Sequence, residues 1–150
     1  MAIAANEILE KINETYDGVF GKFEMDEEND ECFATALHPI KNRHTEGNRI
    51  TLSVEDDIES AYADSVAFVD EKTRPSIMGK PVDVTLDFGF EKQHARLNNY
   101  SMMGAKGGYV FIAACKGNIL FCAELHVQKR PMEDADMTEF MKIVNEALSQ

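Results

Sequence analysis

Tyr109-Val-Phe-Ile-Ala-Ala-Cys-Lys-Gly-Asn-Ile-Leu-Phe-Cys-Ala-Glu-Leu-His-Val127 reads as a β-hairpin that is apolar on both faces. A sheet with one face on a core and the other in water normally alternates apolar with polar residues. Gly117-Asn118 suits a two-residue turn, which pairs Lys116 with Ile119, Ala114 with Phe121 and Ile112 with Ala123. One face then carries Val110, Ile112, Ala114, Phe121, Ala123, Leu125 and Val127, the composition of a core. The other carries Phe111, Ala113, Cys115, Leu120 and Cys122, with Glu124 and His126 only at its far end. That second face needs cover: a helix, a second subunit or a partner.

Working outward from the hairpin, residues 82–91 alternate cleanly, with Val82, Val84, Leu86, Phe88 and Phe90 against Asp83, Thr85, Asp87, Gly89 and Glu91. Residues 95–102 form a partner strand, followed by a break at 103–108. Upstream, residues 19–25, 32–40 and 49–54 read as three strands, and the polar stretch 26–31 is the turn between the first two. A helix over 4–16 carries Ile8, Leu9, Ile12 and Tyr16 on one stripe. A second helix starts near Asp56 or Asp57, with the stripe Ile58, Ala61, Tyr62, Ser65, Val66 and Val69 and Pro75 beyond its end. A third follows Pro131, with Asp136-Met-Thr-Glu139 as a capping box and the stripe Met137, Phe140, Met141, Val144, Leu148. The order α-β-β-β-α-β-β-β-β-α predicts a single α+β domain over residues 1–150, with three helices packed on a mostly antiparallel sheet of about six to seven strands.

The chain's 150 residues suit one domain, and its 44% hydrophobic and 28% charged content is ordinary. The net charge of −12 is not. It argues against a nucleic-acid backbone or an anionic membrane as partner, because both would be repelled. No apolar run approaches the ~18 residues of a membrane span, and the opening Met-Ala-Ile-Ala-Ala-Asn-Glu lacks the regions of a signal peptide. Cys32, Cys115 and Cys122 are odd in number. Cys115 and Cys122 would be diagonal neighbours in the hairpin, roughly 7–8 Å apart and too distant for a disulfide. Reduced thiols and a cytoplasmic location are the expectation.

The chemistry-bearing patterns fall short of active sites. Starting at Asp26, a calcium loop would place Glu31 where glycine is needed and Leu37 where the bidentate glutamate belongs. Gly104-Ala-Lys-Gly-Gly108 has its lysine before the second glycine and leads into a strand, unlike a phosphate loop. No histidine lies in a nucleophile motif; His126, near Glu124 and the thiol-bearing face, is the one placed for chemistry. Asp83, Asp87 and Glu91 form an acidic stripe about 13 Å apart at each step, too wide for a shared metal, with Arg96 opposite.

The helix–three-strand–helix opening, with this size and acidity, looks like secretion-chaperone folds. The helix over 57–72, the strands from Val82 onward and the ending Phe140-Met-Lys-Ile-Val-Asn-Glu-Ala-Leu148 are similar to small PsbP-type domains. Each resemblance covers part of the chain, through element order, and carries over no functional residue.

The expectation is a non-enzymatic protein-binding, adaptor or chaperone-like domain with no cofactor and no metal. Its candidate interface is Phe111, Ala113, Leu120 and Cys122, and the stripe Asp83, Asp87 and Glu91 steers a basic partner. The partner is a basic or apolar protein segment, or a second copy in a homodimer. The alternatives are a small-molecule site or minor enzyme, with a pocket between sheet and helices at Tyr100, Cys122 or His126, and a structural subunit of a larger assembly.

Overall fold

The computed structural model describes residues 4–26, 31–38, 48–75 and 79–149. Within them the order is α1 (Ala5–Thr15), β1 (Glu24–Met25), β2 (Phe33–His38), β3 (Asn48–Val54), α2 (Ile58–Lys72), β4 (Val82–Asp83), β5 (Lys92–Met102), β6 (Ala105–Lys116), β7 (Ile119–Gln128) and α3 (Asp134–Leu148). Gly117 takes φ +59°, the conformation a tight hairpin turn needs. The register is the predicted one, with Lys116 opposite Ile119, Ala114 opposite Phe121 and Ile112 opposite Ala123. This antiparallel α+β architecture has seven strands, ordered β1-β2-β3-β7-β6-β5-β4.

Two meanders therefore meet at the β3–β7 pair, and the chain must pass from β3 to the opposite edge to begin the second. The four strand spacings to be crossed amount to about 19 Å. α2 makes that crossing; its 15 residues span about 22 Å. It contacts β5, β6 and β7, whereas α1 lies against β1, β2 and β3 and against α3. The sheet is thus covered on both faces, which resolves the two-sided hairpin.

The core lies between the sheet and the α1–α3 pair. Ile8, Leu9 and Ile12 meet Ile50, Leu52, Ile112, Phe121 and Leu125 there, all fully or nearly fully buried. Phe140 is its hub, with ring centroids 5.0 Å from Tyr16, 5.7 Å from Phe20, 5.8 Å from Phe23 and 6.3 Å from Phe121. The first two contacts are edge-on, the arrangement that ring quadrupoles favour.

Several element boundaries differ from the sequence reading. The strand expected over 19–25 is only Glu24–Met25. Gly21 at φ +80° breaks the extended run, and the Tyr16 hydroxyl accepts the Phe20 N–H at 3.2 Å, so the segment coils to bury Phe20 and Phe23. The strand expected over 82–91 is reduced to Val82 and Asp83, with one further backbone bond from the Val84 N–H to the Ala95 carbonyl at 2.9 Å. Beyond them the Gln93 side chain takes the place of a ladder, its amide donating to the Leu86 carbonyl at 2.6 Å and accepting the Phe88 N–H at 2.9 Å. Conversely, the break expected over 103–108 is only the turn Met103-Gly104, where φ is +51° and +82°. Gly107 and Gly108 already belong to β6, where a Cβ on Gly107 would strike the Tyr100 phenol. Of the expected turn at 26–31, residues 27–30 lie outside the described residues.

The capping box of α3 sits one turn earlier than predicted. Glu133 is the N-cap and Asp136 the reciprocal partner, accepting the Glu133 N–H at 2.8 Å. Arg130 makes a fork to both Asp136 oxygens at 2.7 and 2.9 Å. That guanidinium, helped by the Glu133 amide and against the effect of burial, holds the Asp136 carboxyl below the usual carboxylate range. A lowered native value contributes stability that is fully present above the ordinary carboxylate range and is lost as pH falls through the lowered value. Asp136→Asn should therefore melt below the wild type at neutral pH, with the gap closing in strong acid; a gap independent of pH contradicts this. Phe140→Ala should cost about 3–5 kcal/mol in denaturant unfolding, because the aromatic cluster cannot collapse around the void.

Candidate binding cleft

The second face of the sheet, the one under α2, is ordered in rows across the strands. One row runs Phe33, Ser53, Leu120, Cys115, Lys92 and the next Thr35, Thr51, Cys122, Ala113, His94. A third runs Leu37, Arg49, Glu124, Phe111, Arg96, Asp83. α2 seals the first row's middle: Leu120 and Cys115 are buried, as is Ala113 in the second. By the third row the cover has lifted, and Phe111 and Cys122 remain half-buried.

The reason lies in the composition of α2. Its N-cap is orthodox, with Asp57 accepting the Ser60 N–H at 3.2 Å. Its inward face is not, for Ser65 is too small to fill the space that a leucine would. Val69 is the one buried residue of α2, whereas α1 buries four and α3 six. The unfilled space is a cleft of about 410 Å³ between α2 and the sheet. Thr51, Cys122, Ala123 and Ile112 form its floor, Ser65 and Val69 its roof, and Phe68, Phe111, Asp64, Arg49 and Glu124 its sides. The Phe68 and Phe111 rings stand 6.4 Å apart, and Phe68 is 44% exposed. Tyr109 extends the aromatic wall, edge-on to Phe111 at 5.9 Å.

Cys122 is the thiol that reaches this cleft, and its sulfur lies 3.6 Å from the Ser65 hydroxyl. Burial pushes both the Cys122 and Cys115 thiols up from their ordinary value, so both stay protonated at neutral pH. A protonated thiol is a poor nucleophile. None of the three cysteines is in a disulfide. The cleft has the makings of a binding site: apolar walls, a few polar groups, and a volume within the ~300–1,000 Å³ of ligand pockets.

The other predicted site residues are dispersed. Asp83 is paired with Arg96 at 2.7 Å, Asp87 accepts the Gly89 N–H at 2.8 Å, and Glu91 accepts the Gly117 N–H at 2.9 Å. Each carboxylate of the expected stripe thus has its own local partner, on a segment that leaves the ladder after Asp83. Tyr100 and His126 do meet, hydrogen-bonded at 2.8 Å across Gly107, but outside the cleft lining. His38 donates through Nδ1 to the Lys22 carbonyl at 2.6 Å, and His94 is held by Asp70 of α2 at 2.7 Å. His44 lies outside the described residues. Among the described residues no helix is long and apolar enough to cross a membrane, and no group of three metal-ligating side chains converges.

The chain matches no protein-family model, no curated protein and no solved structure. It is defined by its fold, a seven-stranded antiparallel sheet strapped by a crossing helix, and by the cleft that helix leaves. Sequence reasoning missed Phe68, Asp64 and Arg49. Phe68 did leave a signal: it is a large apolar residue outside the helix's apolar stripe. Leu120, of the predicted interface, is now placed beneath α2, so Leu120→Asp should unfold the protein or lower its melting temperature sharply. Phe68→Ser should leave the melting temperature almost unchanged. Equal losses in the two variants contradict this placement.

Proposed function

We propose that this chain is a non-enzymatic protein-binding domain, of adaptor or chaperone-like type, that receives an apolar and basic segment of a partner at the mouth of the cleft. The observation that carries the reading is the pair Phe68 and Phe111 flanking an open cleft in a chain of net charge −12. Exposed apolar surface rimmed by charge is the common make-up of a binding site. The acidic field, including Asp83, Asp87 and Glu91, accelerates encounter with a basic partner and disfavours acidic ones. Of the four residues expected at the interface, Phe111 and Cys122 line the cleft, while Ala113 and Leu120 are buried beneath α2 beside it.

The test is an NMR titration of the ¹⁵N-labelled chain with an amphipathic peptide of leucine and lysine. Saturable shifts should cluster on amides of α2, β6 and β7 and weaken with salt. The reading fails if shifts are absent or scattered, or if Phe68→Ser leaves the affinity unchanged. A second reading, a small-molecule site in the same space, is favoured by the ~410 Å³ volume. It predicts stabilisation by a metabolite in a thermal-shift screen, with no response to the peptide.

A further inference from the structure

We propose that the group entering the cleft is a single basic side chain of the partner, an arginine or lysine, with an apolar neighbour resting on the Phe68–Phe111 mouth. This rests on the reading of the cleft as a protein-binding site and names the chemistry it selects. Size sets the first limit. One turn of an α-helix about 10 Å across occupies about 400 Å³ and would take up the whole cleft, so a helical partner inserts side chains rather than backbone.

Charge sets the second. The lining carries two carboxylates, Asp64 and Glu124, and one guanidinium, Arg49. Glu124 and Arg49 are directly opposite one another in the β3–β7 register. Asp64, exposed on α2, makes no hydrogen bond or ion pair among the described residues. A guest with one positive charge balances this set. An anionic guest would meet two carboxylates against one guanidinium, and a neutral guest would leave the charge of Asp64 to solvent. The wider field favours the cation too, because the whole chain is at −12.

The aromatic walls set the third. Cations are attracted to ring faces. Lys72 Nζ stands 5.5 Å from the Phe68 centroid and would have to yield that ring to the guest. The long aliphatic stem of an arginine or lysine suits Val69 and Phe111, and its charged head then reaches the carboxylates at the rim. A second copy of the chain is a poorer occupant, since two surfaces of the same net negative charge would meet.

The experiment uses the full chain and two labelled peptides: one arginine flanked by leucines, and the same peptide with citrulline, which keeps the shape and removes the charge. The arginine peptide should bind about tenfold more tightly, the scale of a charge-assisted contact. That preference should shrink in Asp64→Asn. It should disappear in Ser65→Leu, which fills the cleft from its roof while circular dichroism shows an unchanged melting temperature. Equal affinities for the two peptides, both lost in Phe68→Ser, overturn the basic-side-chain inference and leave the interface reading standing. Affinities untouched by both Phe68→Ser and Ser65→Leu overturn the two together.

Discussion

The β3–β7 pairing is the constraint on which the rest of the structure depends. It joins two antiparallel meanders side by side, so that the strand following β3 in sequence belongs at the far edge of the sheet. The connection has no short route. It must cross a face, and a helix is the economical way to do so, because it satisfies its own backbone hydrogen bonds while covering apolar side chains. From that one pairing follow the position of α2, the burial of Ala113, Cys115 and Leu120, and the need for α1 and α3 to share the opposite face. The central hairpin is then apolar on both sides for a plain physical reason: it is the middle of a three-layer stack.

The two helical layers are not equivalent. α1 and α3 bring large apolar residues to the sheet and close around Phe140. α2 brings alanine, serine and a single buried valine. The crossing helix, capped by Asp57 and tied to β5 by the Asp70–His94 contact, brings small side chains to part of the face it covers. The cleft is the result, and its walls come from side chains near the crossing's open side. The cleft and the main core thereby lie on opposite faces of the sheet: changes at Phe68 or Asp64 touch one, changes at Phe140 the other.

How much of this was legible beforehand depended on whether a local pattern or a distant partner made the decision. The hairpin register was legible because Gly117-Asn118 admits a tight turn and alternation fixes every pair behind it. The start of α2 was legible because Asp57 can cap it. The strand over 82–91 was not, because a single side chain, Gln93, supplies the hydrogen bonds that a neighbouring strand would have given. The glycines at 107 and 108 looked like a loop; they are strand residues kept small for the Tyr100 phenol and for Asn99 and Met132. The α3 cap moved by a turn because Arg130 claims Asp136. The candidate site was legible in half: Phe111 and Cys122 lie on the sheet that the pattern defined, whereas Phe68 and Asp64 come from a helix whose placement no local pattern reveals.

The sequence by itself determined the α+β order, the register of the central hairpin, the two apolar faces, the helix stripes and the acidity, all of which follow from spacing and side-chain chemistry along one stretch of chain. Only the tertiary structure decided which face each helix covers, that α2 rather than another molecule lies over Leu120, and that its small residues leave a cleft between Phe68 and Phe111. Those outcomes depend on strand order, and strand order is set by contacts between segments far apart in the chain, for which local periodicity carries no information.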